Sequence, residues 1–598
     1  MKIRLSDYVA DFLVENGITD CFMITGGGAM YLNDSFGHHP KIKCIYNHHE
    51  QASAMACEAY ARISNKPALL CVTTGPGGTN ALTGILGAYL DSIPMIVITG
   101  QVRYETTARY NNKLLKNKTL RSVGDQEFDI SKATSSMSKL SVMLEDPRYI
   151  KYYLQEAIYL STHGRPGPCL IDIPINYQSM LIDTDDLIEY KPKKDIKPVN
   201  KTTINKVIKL LKQAKKPILY PGNGIRIANA YPEFKQLVKK LNIPVVTYWD
   251  SIDLIETNNP LYVGRAGSMG DRAGNFAIQN ADLILVIGNR LSIRNVGFNY
   301  KSWAPNAKVI MVDIDQAELA KPTIHVEYPI WADAKDFINK LNQEIKHKLP
   351  DNKQWLDRCH NWKEKYPVVL QKHKEDKEVN IYNVFDYLSR NLNNNTITVT
   401  SNGSCCVVGH QTWFIKDKSR FINNNAVASM GYGLPASIGA CIANKRKEII
   451  CLEGDGSIMM NLQELQTIVT NNLPIKIILI NNQGYHSIRQ SQNNYFKNKK
   501  KIGIGPQSND LSFPDYSKIA KAFNIPYLSI KNNKQLTKTI DKFIKYNSYI
   551  ICEIFVSIDQ EFEPKNNSKK LKDGTIITPP LQDLYPFLSK KELEENMK

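Results

Sequence analysis

The sequence predicts three α/β domains, each built on a doubly wound parallel sheet, and three observations carry that prediction. At 598 residues the chain is several times the length of one ordinary domain. Strand-length apolar runs alternate with amphipathic helical stretches along almost all of it. Polar or glycine-rich clusters follow these runs, at the carboxyl ends of strands, where open parallel sheets place their ligands. Composition suits such a protein, since 42% hydrophobic and 22% charged residues are ordinary for a globular chain. The charged N-terminal stretch has no apolar signal core, no run reaches membrane-spanning length, and the eleven scattered cysteines include no CxxC pair. A reduced cytoplasmic protein with no membrane partner is the expectation. The formal net charge of +18 raises nucleic-acid binding, but the lysines are interleaved with asparagine and no basic helix or zinc-finger spacing accompanies them. No nucleic-acid partner is expected, and the charge favours anionic small molecules.

Residues 1–178 form the first domain, with strands expected at 20–24, 43–46, 68–72, 95–99 and 169–173. Thr25-Gly-Gly-Gly-Ala29 follows the first strand, and its Gly28 suits close approach of backbone to a ligand. Asn47-His-His-Glu-Gln51 follows the second and opens an alanine-rich helix. Thr73-Thr-Gly-Pro-Gly-Gly-Thr-Asn80, with Gly77 and Asn80, follows the third. Taken alone, Glu50 is a charge favoured at a helix N-terminus. Residues 179–200 are charged and rich in Pro and Lys, and read as a linker. The second domain, 201–346, has Pro221-Gly-Asn-Gly224, Gly288-Asn-Arg290 and Val312-Asp-Ile-Asp315 as landmarks; one glycine-rich turn is a weak nucleotide signal. Residues 347–377 read as a second linker whose Trp355 and Trp362 pack on a domain. The third domain spans 378–560, and 561–598 is a tail without a core pattern.

The third domain holds the strongest signal. Glu453-Gly-Asp-Gly-Ser-Ile458 follows the apolar run 448–452, and Asn481-Asn482 follows the run 474–480, with a helical stretch between. One acid between two glycines lets backbone close on a phosphate while the carboxylate faces a cation. Asn482, 27 residues beyond Asp455, adds an amide oxygen. These are hard ligands, the set magnesium takes together with a phosphorylated ligand. Alone, the Gly-Asp-Gly would be a strand turn whose Asp caps the next helix. The paired asparagines across a strand–helix–strand unit shift the balance.

The set resembles the thiamine diphosphate (ThDP) signature. The resemblance implies that Asp455, Asn482 and the Gly484 carbonyl hold Mg2+ on the cofactor's diphosphate, within a loop containing Gly454, Gly456 and Ser457. The series His-Glu-Gln, Thr73 to Asn80, and Gly100-Gln-Val102 is similar to the family's pyrimidine-binding domain. Glu50 would then hydrogen-bond the aminopyrimidine and relay the proton that activates the thiazolium. Met430, beside Gly431 in Met430-Gly-Tyr-Gly-Leu-Pro435, matches a residue that lies under the cofactor; His410-Gln-Thr-Trp413 resembles a diphosphate loop, with His410 as a contact. In order and extent the chain resembles acetolactate synthase-like enzymes, nearest to variants associated with surface-polysaccharide gene clusters. In that group the central domain takes FAD, which implies roles for Arg290, Asp313, Asp315 and Asp333. The implied assembly is a homodimer or homotetramer. The implied reaction is decarboxylation of a 2-keto acid, pyruvate, with transfer of its two-carbon acyl-anion unit to a second carbonyl.

Departures from the family pattern concern the acceptor. Ser487 and Ser491 stand where the family has Met and Trp, Asp125 replaces Phe beside a retained Gln126, and Arg290-Leu-Ser-Ile-Arg294 keeps both arginines without the acids. Loss of an indole removes roughly 150–250 Å² of apolar wall. A wider, more polar pocket is expected, with Tyr485, Ser487, Arg489 and Ser491 as donors and Asp125 and Arg294 nearby. A 2-keto acid and a keto-sugar nucleotide both remain open as acceptors, and a simple 2-keto-acid decarboxylase would use the same cofactor residues. A non-catalytic relative is disfavoured by the intact Glu50 and metal ligands.

Overall fold

Three six-stranded, wholly parallel sheets follow one another in the computed structural model, which describes every residue except 1, 117, 194–195, 348, 497–498 and 571–572. Parts of both expected linkers and of the tail therefore lie outside the described residues. The first sheet runs Lys43–Tyr46, Asp20–Met23, Ala68–Val72, Met95–Gln101, Pro168–Pro174, Leu140–Met143. Numbered in chain order, that is 2-1-3-4-6-5. The third sheet runs Arg420–Ile422, Ile397–Thr400, Ile449–Gly454, Ile475–Asn481, Ile550–Phe555, Tyr527–Ile530, which is the same order. The central sheet differs: Tyr262–Arg265, Val245–Thr247, Pro217–Pro221, Leu283–Ile287, Lys308–Asp313, Tyr328–Trp331, or 3-2-1-4-5-6, the dinucleotide-binding order.

Strand order decides where ligands can sit. Chain connections leave to opposite faces beside the first strand of each sheet, opening a crevice at the carboxyl ends there. In the outer sheets this crevice lies between strands 1 and 3. It is where the Gly28 loop meets Thr73 and Thr74, and where Asn402 and Gly403 face Gly454 and Asp455. In the central sheet it lies between Pro217–Pro221 and Leu283–Ile287.

The outer domains are locked to each other by the helices Glu50–Ser64 and Gly433–Ala443. Small residues (Ala52, Ala56 and Ala59 on one helix, Ala436 and Ala440 on the other) let the backbones approach, and all are buried. A side chain on Gly439 would collide with the Ala56 carbonyl, so that contact requires glycine.

The second expected linker contains a packed helix. Lys353–Lys365 is a helix that buries Trp355, Cys359 and Trp362, an i, i+4, i+7 stripe. Trp355 Nε1 donates to Pro217 O at 3.1 Å, and Trp362 Nε1 to Asn596 Oδ1 at 2.9 Å. Through Asn596, on the terminal helix Lys590–Asn596, the tail is fastened to the central domain. Among the described residues, no helix is long and apolar enough to cross a membrane.

Candidate active site

The third sheet's crevice opens into a cavity of about 660 Å³. Asp455 stands at its floor, just beyond Ile449–Gly454. Oδ1 accepts from Gly456 N at 2.8 Å and Oδ2 from Gly484 N at 2.9 Å. Burial pushes the carboxyl up to about 7, with the Gly484 and Gly456 N–H groups and the Arg489 charge only partly opposing it. Asn482, beyond Ile475–Asn481, donates its amide N–H to Ser404 Oγ at 3.1 Å, while its Oδ1 is buried without a hydrogen bond. Gly484, at φ +118°, lies against the Ile504 carbonyl, and its own carbonyl accepts from His486 N at 3.0 Å while keeping a second lone pair. A buried carboxylate, an unpartnered amide oxygen and a carbonyl suit a divalent cation bridged to phosphate oxygens.

The phosphate side of the crevice is also built. Gly403, at φ +82° with open space beside it, leads into the helix Ser404–Thr412, whose first-turn N–H groups open on the cavity. A side chain on Gly454 would meet only Ser457 Cβ, at 3.9 Å, Gly456 packs under Tyr485, and Ser457 Oγ accepts from Gly431 N at 2.8 Å. Gly431 sits at φ +75°, next to Met430 on the cavity wall. These residues fit a diphosphate.

Two sequence expectations fall elsewhere. His410 does not reach the cavity; its ring is buried and stacked on Trp249 at 4.6 Å, and burial holds it neutral. Only the first turn of its helix, Ser404 to Val407, lines the cavity. Arg489 is 1% exposed and is not an acceptor donor. Its guanidinium donates to Asn482 O at 3.0 Å and Gln483 O at 2.6 Å, clamping the loop that carries Asn482 and Gly484. Tyr485, Ser487, Ser491 and Arg294 do line the cavity, and Arg294 rests on the Trp249 ring at 5.4 Å.

Glu50 belongs to a second cluster. One of its carboxylate oxygens accepts from Asn80 Nδ2 at 3.0 Å, and the other faces Gly77. Thr73 Oγ1, against Gly26 and Gly28, is buried without a partner. Gln126, at φ +56°, lays its carbonyl on Gly75, and both it and Asp125 are exposed. Beneath lies a network that sequence reading missed. Thr74 Oγ1 donates to Gln101 Oε1 at 2.8 Å, Gln101 Nε2 to Asp172 Oδ2 at 2.9 Å, and burial pushes Asp172 up to about 7. An acid inside the apolar strand Pro168–Pro174 was the available signal. Among the described residues lining the Asp455 cavity, none comes from residues 1–178, so one chain holds the two clusters apart.

At the central crevice Gly222, Gly224 and Gly288 pack edge to edge, beside a cavity of about 150 Å³ lined by Arg290, Asp313 and Asp333. Burial pushes Asp313 up to about 6. Asp333 Oδ1 caps the helix Ala334–Glu344. Asp315 does not line the cavity; it caps Gln316–Ala320 and pairs with Arg165 at 3.0 Å. The donors suit the adenosine half of FAD, and the enclosed cavity alone is smaller than the ~300–1,000 Å³ of typical ligand pockets.

Two domains of one topology, one presenting a carboxylate at a helix start and the other a crevice whose donors suit a cation and a diphosphate, flank a dinucleotide-type domain. This defines a diphosphate-cofactor enzyme of the ThDP class. Family models agree: the thiamine pyrophosphate enzyme N-terminal TPP-binding domain matches 3–128, the central domain 204–341 and the C-terminal TPP-binding domain 401–554. The acetolactate synthase large subunit of Cyanidium caldarium is 33% identical over 94% of this chain and 95% of its own. That of Porphyra purpurea is 30% identical (93% and 92%), and a probable one from Methanococcus aeolicus 31% (93% and 92%). The chain belongs to the ThDP-dependent, acetolactate synthase-like enzyme family.

Proposed function

We propose that this enzyme is a ThDP- and Mg2+-dependent carboligase that decarboxylates pyruvate and joins the two-carbon unit to a second, oxygen-rich carbonyl substrate. The observation that carries the reading is the donor set at the crevice: buried Asp455, the unpartnered Asn482 Oδ1 and the Gly484 carbonyl beside the Ser404 helix start. Bound ThDP would supply a carbon nucleophile and a sink for the electrons released with CO2. Asp455 and Asn482 would hold the cation, and Arg489 keeps their loop in place. Glu50 is the acid–base group on the pyrimidine side, with Asn80 orienting it. Gln126 and Asp125, exposed beside that cluster, would face the acceptor from across the site. Ser487 and Ser491 in place of apolar residues favour a polar acceptor over a small alkyl one.

Separation of the Glu50 cluster from the Asp455 cavity favours a homodimer or larger assembly in which each site takes its halves from two chains. FAD is proposed on the central domain through Arg290, Asp313 and Asp333; a preparation that releases no flavin on denaturation would refute that. Eleven free thiols, all but Cys44 buried, favour a reducing compartment, the cytoplasm. The first assay is pyruvate, ThDP and Mg2+, with acetolactate and acetaldehyde measured separately and a nucleotide-linked keto sugar as alternative acceptor. Ligated product supports the reading. Acetaldehyde alone, with every acceptor, would make the enzyme a decarboxylase.

A further inference from the structure

We infer that Lys565, brought into the cavity by the C-terminal tail, determines acceptor specificity by binding the anionic group, carboxylate or phosphate, of the second carbonyl substrate. The inference rests on the carboligase reading above. Lys565 is 7% exposed and lines the same cavity as Asp455, on the wall formed by the helix His486–Tyr495. Its ammonium donates to Gln490 Oε1 at 3.1 Å and makes no ion pair among the described residues. An ammonium has three donors; this one has Gln490 and, at 5.6 Å, the face of the Tyr585 ring, both neutral, and a buried ammonium without an ion pair favours the arrival of an anion.

The backbone that carries this side chain is pinned on both sides. Lys565 N and O pair with Tyr585 O and N at 2.9 and 2.7 Å. Gln411 Nε2 donates to Pro564 O at 2.6 Å, and Asn566 N to Ser268 O at 2.7 Å. Ser268 N in turn donates to Arg294 O at 2.8 Å, so one hydrogen-bonded strap carries both cations of the cavity wall.

Among the described residues lining the cavity, Asp455 is the one acid, and it makes no ion pair with Lys565. The Asp455 carboxylate accepts from Gly456 N and Gly484 N and would hold the cation. His486 is held neutral, pushed down to about 4 by burial, with Nε2 on Gln560 O at 2.6 Å. Along the tail, Glu561 and then Glu563 act on Lys565 through space, neither as an ion pair, and Glu563 is taken by Lys372 and His373. Beside Lys565, Ser487 and Ser491 leave room for the rest of an oxygen-rich molecule.

The test compares wild type, Lys565→Gln and Lys565→Arg holoenzymes with pyruvate as donor and three acceptors: 2-ketobutyrate, a nucleotide-linked 4-keto sugar and uncharged propanal. Losing a charged hydrogen-bond partner predicts a roughly 10- to 100-fold fall in kcat/KM for the anionic acceptor, mainly through KM. The change for propanal should stay within about threefold, and Lys565→Arg should restore most of the loss. Which anionic acceptor loses rate tells carboxylate from phosphate. Calorimetric titration of each anionic acceptor into the holoenzymes reads the same contact without turnover, so it decides the role of Lys565 even if wild type ligates nothing. Equal losses for charged and uncharged acceptors, or unchanged anion binding in Lys565→Gln, would overturn the inference.

Discussion

Arg489→Met separates two readings of one residue. Sequence position makes Arg489 a donor to the acceptor; the structure turns it inward, onto the carbonyls of Asn482 at 3.0 Å and Gln483 at 2.6 Å. Hydrogen bonds from a charged donor are worth about 1.5–3 kcal/mol each, so losing both costs about 3–6 kcal/mol, split between global stability and order of the loop that carries Asn482 and Gly484. If a third of that falls on the loop, cofactor affinity drops by about 5- to 30-fold, since ~1.4 kcal/mol is tenfold. The assay is titration of ThDP into metal-saturated protein, followed by tryptophan fluorescence, with melting measured alongside. Weaker ThDP binding, with an unchanged ratio of kcat/KM between charged and uncharged acceptors, is the expected result. Normal ThDP binding with impaired use of anionic acceptors would refute the clamp and restore the donor reading.

Glu50→Gln should bind ThDP but lose about 10²- to 10⁴-fold in turnover, the usual range for a general acid–base group, measured as CO2 release at saturating cofactor. Ser491→Trp should shift preference from larger polar acceptors towards 2-ketobutyrate, because an indole restores roughly 150–250 Å² of apolar wall; an unchanged acceptor profile counts against the widened pocket. Asp172, raised from 3.8 to about 7 by burial, contributes stability that is fully present below the lower value and is lost as pH rises through the upper one. Melting temperature of cofactor-free enzyme should therefore fall between about pH 5 and pH 7.5, and less steeply in Asp172→Asn.

Much of this site was legible because of how parallel sheets are built. A strand buried on both faces reads as an unbroken apolar run, so Gly454, Asp455 and Asn482 stand out where two such runs end, as do Gly28 and Glu50 in the first domain. Shared order 2-1-3-4-6-5 was not legible, since edge strands such as Arg420–Ile422 have three residues and no distinctive pattern. His410 and Arg489 were misplaced for a common reason. Burial and rotation about a helix axis decide whether a polar side chain meets a ligand or a backbone carbonyl, and local sequence does not report either. Trp355, Cys359 and Trp362 did show helical spacing, but the lysines and acids around them gave the stretch a linker's composition. Lys565 carried no local signal at all: its position depends on a tail strap fastened far away, at Tyr585 and Asn596.

The central claim is that Glu50 and Asp455 serve one reaction from two chains. Mixing Glu50→Gln with Asp455→Asn protein, after dissociation and reassociation, measures it directly. If sites are shared, heterodimers contain one intact site and one doubly altered one, and random pairing should return about a quarter of wild-type activity from two inactive preparations. Recovery of nothing, with heterodimers demonstrated by mass, would contradict the shared site.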